Sequence, residues 1–210
     1  VEPDGFRILC LDPLRPEPGP IGEAAAALTR GVLVIVPTET VYGLAADPRL
    51  PGAETAIHAA KGRPDNEPVT LFAAGLEQVK ARGAVLRGAG EKLARAFWPG
   101  PLTLVVKTPD GFTGFRVPDH AVPLALLREV GSVLAVTSAN RSGEPPALNA
   151  EAAVAALGSS VALVLDAGPS PGGVPSTVVR VDGDEVRVLR PGAISEERIR
   201  RVVGGSPSLS

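Results

Sequence analysis

The sequence predicts a single α/β domain built on a twisted, mixed sheet flanked by helices. Three observations predict it. Short runs rich in Val, Ile and Leu alternate with Ala- and Leu-rich helical stretches, the pattern of βα units. Two pairs of apolar runs are joined by tight turns, Pro109-Asp110-Gly111 and Asp182-Gly183-Asp184, so hairpins interrupt the parallel arrangement. The 210 residues are 44% hydrophobic, enough for one real core, and only 3% aromatic, so that core must be aliphatic.

The elements follow in order. Phe6–Leu11 reads as a strand, and a Pro-rich connection runs from Pro13 to Pro20. A helical pattern covers Gly22–Arg30 and stops at Gly31. Val32–Val36 is apolar at every position and ends at Pro37, which suits a strand buried on both faces. Ala53–Lys61 is helical, with Gly62 and Pro64 as stop signals, and Val69–Ala73 is a second buried strand. Leu76–Arg82 and Leu86–Phe97 are helices, the latter ended by Pro99-Gly100. Strands over Leu102–Lys107 and Thr113–Val117 flank the first turn; a helix over Val122–Val130 and a strand over Val133–Thr137 come next. Asn149 N-caps a helix over Ala150–Leu157. Val161–Asp166, Thr177–Val181 and Glu185–Leu189 are strands. Ser195 then caps a last helix through Val203, with Glu196 and Glu197 in its first turn. Residues 1–204 are expected to form the domain and 205–210 a frayed tail.

Composition narrows the chemistry. With 21 Lys+Arg against 23 Asp+Glu, bulk charge does not mark a nucleic-acid scaffold, although a local basic groove stays open. The low aromatic content argues against a single-strand stacking platform. Cys10 is the lone cysteine, and His58 and His120 show no ligand spacing, so no metal centre is expected. The apolar stretches are far shorter than a membrane span, and the first residues lack a signal pattern, so a soluble, cytoplasmic protein is expected. There is no GxxxxGK[ST] loop, GxGxxG, HExxH or Gly-x-Ser-x-Gly.

Four polar stretches sit at strand or helix ends. Pro37–Leu44 places two hydroxyls and a carboxylate at the mouth of a sheet, where open α/β folds bind ligands; equally, its Thr side chains could satisfy their own backbone. Lys61-Gly62-Arg63-Pro64 offers either a pair of phosphate ligands or two cations complementing a helix dipole. Thr137–Pro145 is either an anion-binding nest or an ordinary polar loop. Gly172–Thr177 lets a serine approach a ligand closely, and Arg190 adds a phosphate candidate.

Together these stretches resemble the YrdC-like family, the threonylcarbamoyl-AMP synthases. The matching residues are Pro37–Leu44 (PTETVYGL), Lys61–Pro64 (KGRP), Trp98–Leu104 (WPGPLTL), Arg116–Pro118 (RVP), Ser138–Gly143 (SANRSG), Ser176–Val178 (STV) and Arg190–Gly192 (RPG). Each is weak alone; the ordered set is specific and covers roughly Gly22 to Gly192. The resemblance implies the family fold with a concave basic cavity. It also implies a reaction that joins L-threonine, bicarbonate and ATP into threonylcarbamoyl-adenylate and pyrophosphate. Other proteins would then transfer the group to tRNA, and direct tRNA contact stays open. By motif, Thr40, Arg116 and Ser176 would surround threonine. Lys61, Arg63, Ser138, Asn140 and Arg190 would line the ATP end, with Lys61 and Arg63 stabilising charge during catalysis. Mg2+ would arrive with ATP. The chain departs from the family pattern at Glu67, at Phe72 (often His in long forms) and at Pro146, and its length resembles the short form. Two other readings compete: a YrdC-like module that binds nucleotide or RNA without making the adenylate, and a carbamoyl-adenylate-forming enzyme of hydrogenase maturation. The latter lacks its cysteines here.

Overall fold

The apolar run after Gly31 sets the plan of the molecule. In the computed structural model, which describes residues 5–62 and 68–204, Leu33 and Ile35 join one hydrophobic cluster while Val34 and Val36 join another. Alternate side chains leave a strand on opposite faces, so this strand is covered on both sides, as its uniform apolarity predicts.

The elements are β1 (Arg7–Cys10), α1 (Pro18–Thr29), β2 (Val34–Val36), β3 (Gly43–Ala46), α2 (Ala53–Lys61), β4 (Thr70–Phe72), α3 (Leu76–Ala81) and α4 (Ala89–Phe97). They continue with β5 (Leu102–Thr108), β6 (Gly111–Arg116), α5 (Ala121–Val130), β7 (Leu134–Ser138), α6 (Ala150–Leu157), β8 (Leu163–Asp166), β9 (Thr177–Asp182), β10 (Glu185–Arg190) and α7 (Glu196–Val203). Ten strands form one sheet in the order β1-β8-β2-β3-β7-β4-β6-β5-β9-β10. The sheet is mixed: β8 runs parallel to β1 and β2, β4 to β6, and β5 to β9, and the other neighbours are antiparallel.

Asn149 and Ser195 cap their helices as expected, accepting from Ala152 N at 2.8 Å and Arg198 N at 3.4 Å. Most boundaries shift by one or two residues, and three differences from the sequence reading are larger. Helix α1 starts at Pro18, four residues early, because prolines are tolerated in a first turn whose N–H groups lack partners. Helix α4 starts at Ala89 because Gly88 adopts φ 54°, outside the helical region. Gly43–Ala46, read only as the end of a polar motif, is a strand that forms a hairpin with β2. The expected 205–210 tail lies outside the described residues.

The two faces of the sheet are covered unequally. One carries α2, α3, α4, α6 and α7 through Ile57, Val79, Leu93, Leu157 and Ile199, and it extends over β5, β6 and β9 through Leu104, Phe115 and Val179. The other carries α1 and α5 through Leu28 and Leu126, and among the described residues its strand members come from β1, β2, β3, β4, β7 and β8. Past β4 this second helix layer stops. Arg116 and Arg190 belong to the part of the sheet beyond it, and Ser176 directly precedes β9 there.

Candidate functional site

On β5, β6 and β9 the residues alternating with the core ones are Thr103, Arg116 and Val178; their apolar neighbours Leu104, Phe115 and Val179 face the larger cluster. A cavity of about 280 Å³ opens on this side. Thr40, Arg116, Ser138, Ser176 and Arg190 all line it, so five of the eight residues singled out in the sequence meet in one place. Lys61 and Asn140 lie outside its lining. Arg63 and Glu67 lie outside the described residues.

Arg116 ends β6 and is only 4% exposed. Its Nη2 donates to Thr40 Oγ1 at 2.9 Å and its Nε to the Gly100 carbonyl at 3.3 Å, while the guanidinium carbon stands 5.1 Å from the centre of the Phe72 ring. Glu39 Oε1 lies 2.7 Å from Arg116 Nη2. That contact is an ion pair rather than a hydrogen bond, and both Glu39 oxygens lack a hydrogen-bond partner among the described residues. Glu39 thus supplies charge to Arg116 without saturating it. The same carboxylate, with Asp119, favours the charged form of His120, but burial outweighs both and lowers the imidazole pKa.

Thr40 is set by the hairpin between β2 and β3. Thr38 folds back onto that turn, donating to the Val41 carbonyl at 2.6 Å and accepting from the amides of Thr40 and Val41 at 3.1 and 3.2 Å. The reading of threonines satisfying their own backbone is therefore correct for Thr38. Thr40 faces the cavity.

Ser176 arrives on a strap laid across the same hairpin. Gly172 N and Gly173 N donate to the carbonyls of Glu39 and Thr40, each at 2.9 Å. A Cβ on Gly172 would come within 2.5 Å of Glu39 O, so only glycine permits this approach. Ser176 Oγ then meets Thr103 Oγ1 at 2.9 Å. Arg190 Nη2 donates to the Ser176 carbonyl at 2.8 Å and to its hydroxyl at 3.3 Å. A register shift between Val188 and Arg190 makes this contact geometrically available. Val188 pairs with Val179 but Arg190 pairs with Val178, so Arg190 changes face relative to Val188 and joins Ser176. Burial and the neighbouring charge of Arg116 lower the Arg190 pKa. Two mutually repelling cations in one cavity favour an anionic occupant.

A second loop follows β7. Lys61 at the end of α2 reaches it through Nζ, which donates to the carbonyls of Ser138 and Asn140 at 2.5 and 2.6 Å, and Ser142 N returns a bond to the Lys61 carbonyl at 3.0 Å. Asn140 Nδ2 donates to the carbonyls of Arg141 and Glu144 at 2.9 and 2.8 Å, and its buried Oδ1 has no partner among the described residues.

Thr38, one of the two hydroxyls read at the sheet mouth though not assigned a substrate contact, lines the cavity, and so does Thr103, which was not singled out in the sequence. A polar residue interrupting the apolar run Leu102–Val106 was the available signal for Thr103. Among the described residues, no three His, Cys, Asp or Glu side chains are placed to hold a metal ion, and no helix is long and apolar enough to cross a membrane.

The profile of the Sua5, YciO and YrdC proteins, described as "Telomere recombination", matches residues 26–192. A Mycobacterium tuberculosis protein provisionally named threonylcarbamoyl-AMP synthase is 42% identical over 205 residues, 93% of this chain and 94% of its own length. The Bacillus subtilis threonylcarbamoyl-AMP synthase is 38% identical over 195 residues, 88% of this chain and 56% of its own. The crystal structure of Pyrococcus abyssi Sua5 complexed with L-threonine superposes with a TM-score of 0.89 at 33% identity, covering 95% of this chain and 61% of the Pyrococcus chain.

Proposed function

The chain belongs to the Sua5, YciO and YrdC family, and from that premise we infer that it is a threonylcarbamoyl-AMP synthase. The observation that carries this is the similarity along nearly the whole chain to proteins of that name, with the provisionally named Mycobacterium tuberculosis and Mycobacterium leprae proteins matched over more than nine tenths of both sequences. A cavity lined by two arginines and several hydroxyls supports it, because the substrates are anions and a hydroxy amino acid. The enzyme uses L-threonine, bicarbonate and ATP.

The chemistry has two steps. Threonine's ammonium and bicarbonate give a carbamate, one water and one proton. A carbamate oxygen then attacks the α-phosphorus of ATP, and the bond to pyrophosphate breaks in line. No protein nucleophile is required; catalysis is positioning and charge stabilisation. In this reading Arg116 takes threonine's carboxylate, Thr40 and Ser176 read its side chain, and Arg190, Ser138, Asn140, Lys61 and Arg63 serve the nucleotide. The unpartnered Oδ1 of Asn140 is an acceptor suited to a nucleotide N–H. Mg2+ enters as the companion of ATP, held by phosphate and water, since the lining offers no carboxylate among the described residues. The product passes to tRNA-modifying proteins in the cytoplasm.

Incubating the protein with ATP, threonine and bicarbonate should yield threonylcarbamoyl-adenylate by mass spectrometry, with pyrophosphate release that needs all three. A domain that only binds nucleotide or RNA would release none.

A further inference from the structure

The hydroxyl protons around Thr40 can be assigned by elimination. Thr38 Oγ1 lies 2.6 Å from the Val41 carbonyl oxygen, a separation that is repulsive unless a proton lies between them. A carbonyl cannot donate, so the single hydroxyl proton of Thr38 is engaged there. Thr38 and Thr40 share a contact of 2.9 Å between their hydroxyl oxygens; with the Thr38 proton engaged, the proton between them is that of Thr40, taken on one Thr38 lone pair while the longer contacts from the Thr40 and Val41 amides, at 3.1 and 3.2 Å, share the other. Thr40 Oγ1 also accepts from Arg116 Nη2 at 2.9 Å. Its proton is therefore directed at Thr38, one lone pair at Arg116, and what remains for the cavity is a lone pair.

We propose that Thr38 fixes Thr40 as an obligate hydrogen-bond acceptor, so that the cavity selects a substrate whose side chain donates. The proposal rests on the reading of Thr40 as a threonine contact. Thr38 is a positioning residue here: it sets the direction of a bond that Thr40 makes. Threonine and serine both offer a hydroxyl proton to such an acceptor. An isostere that offers only lone pairs meets lone pair with lone pair and is rejected at least as strongly as valine, which offers nothing. Thr38 and Thr40 are both almost completely buried, 1% and 2% exposed, so water is poorly placed to relieve the mismatch.

The test compares threonine, valine and 3-fluoro-2-aminobutanoate, in which fluorine replaces the hydroxyl. Each is measured as a competitor of threonine in pyrophosphate release. For the wild type, valine should bind roughly 10- to 100-fold more weakly than threonine, the effect of leaving a buried polar group unpaired. The fluoro analogue should be no better than valine. In Thr38→Val the Thr40 proton is released to the cavity, and the fluoro analogue should overtake valine by about threefold, a weak hydrogen bond's worth. Thr38→Ser keeps the hydroxyl and should restore the wild-type order. A fluoro analogue that beats valine in the wild type overturns the proposal, as does an unchanged order in a folded Thr38→Val. Should that variant not fold, the wild type and Thr38→Ser decide alone. Thr40→Val separates the two levels. A tenfold or larger rise in the threonine KM supports the contact, whereas an unchanged KM overturns the placement of threonine at Thr40 and the polarity with it.

Discussion

The side chains that tie down the two loops beside the cavity come from different places. In the hairpin loop at Thr38–Tyr42, whose carbonyls the strap at Gly172 and Gly173 covers, the hydroxyl bonds run among the loop's own residues, so their directions are written within a few adjacent positions. The loop after β7 is held by a cation from another element: Lys61 at the end of α2 gathers two of its main-chain carbonyls. A locally tied loop can discriminate between substrates by the direction of a single proton. A remotely tied loop has its shape decided elsewhere, and a change at its anchor moves the whole of it.

Breaking the remote anchor should have the largest effect. Lys61→Met keeps the stem but removes the ammonium from a nearly buried position, and adenylate formation should fall by at least roughly 100-fold. Preference for threonine over valine among the residual turnovers should stay unchanged, as measured by product mass. A shifted preference would mean that the two loops are not separable. The next effect comes from the strap over the hairpin. Gly172→Ala drives a methyl into the Glu39 carbonyl and should cost about 1–3 kcal/mol, read as a lowered Tm. Its threonine KM should rise about tenfold, since Thr40 and Ser176 are pushed apart, while its ATP KM holds. An ATP KM that rises equally would place the strap at both ends of the site. The smallest effect is a control: Asn149→Ala removes the cap of α6, should cost about 1 kcal/mol in denaturant unfolding, and should leave both KM values where they were.

Legibility in the sequence followed physical cause. Val32–Val36 was readable because burial on both faces leaves no polar position, and Asn149 and Ser195 because caps are local. Strand β3 was not readable. Gly-Leu-Ala-Ala has little strand preference, and it is a strand because β2 and β7 flank it on either side. Gly43 is part of that packing, since a Cβ there would meet Val136 Cγ1 at 2.8 Å. The cavity residues Thr40, Arg116, Ser138, Ser176 and Arg190 were legible only as an ordered set of motifs, because the contacts between them span up to 76 positions in the chain. Thr38 stood inside a quoted motif, yet its importance depends on a proton direction that no residue pattern encodes.

The register shift at Leu189 has a consequence for relatives as well as for this chain. Side chains on a strand obey an even–odd rule, and one extra residue inverts it for everything that follows. Arg190 reaches Ser176 because of that inversion. No point substitution can undo the arrangement; an insertion or a deletion can. A related chain could keep Arg-Pro-Gly letter for letter, lack the spacer, and carry its guanidinium on the apolar side of the sheet.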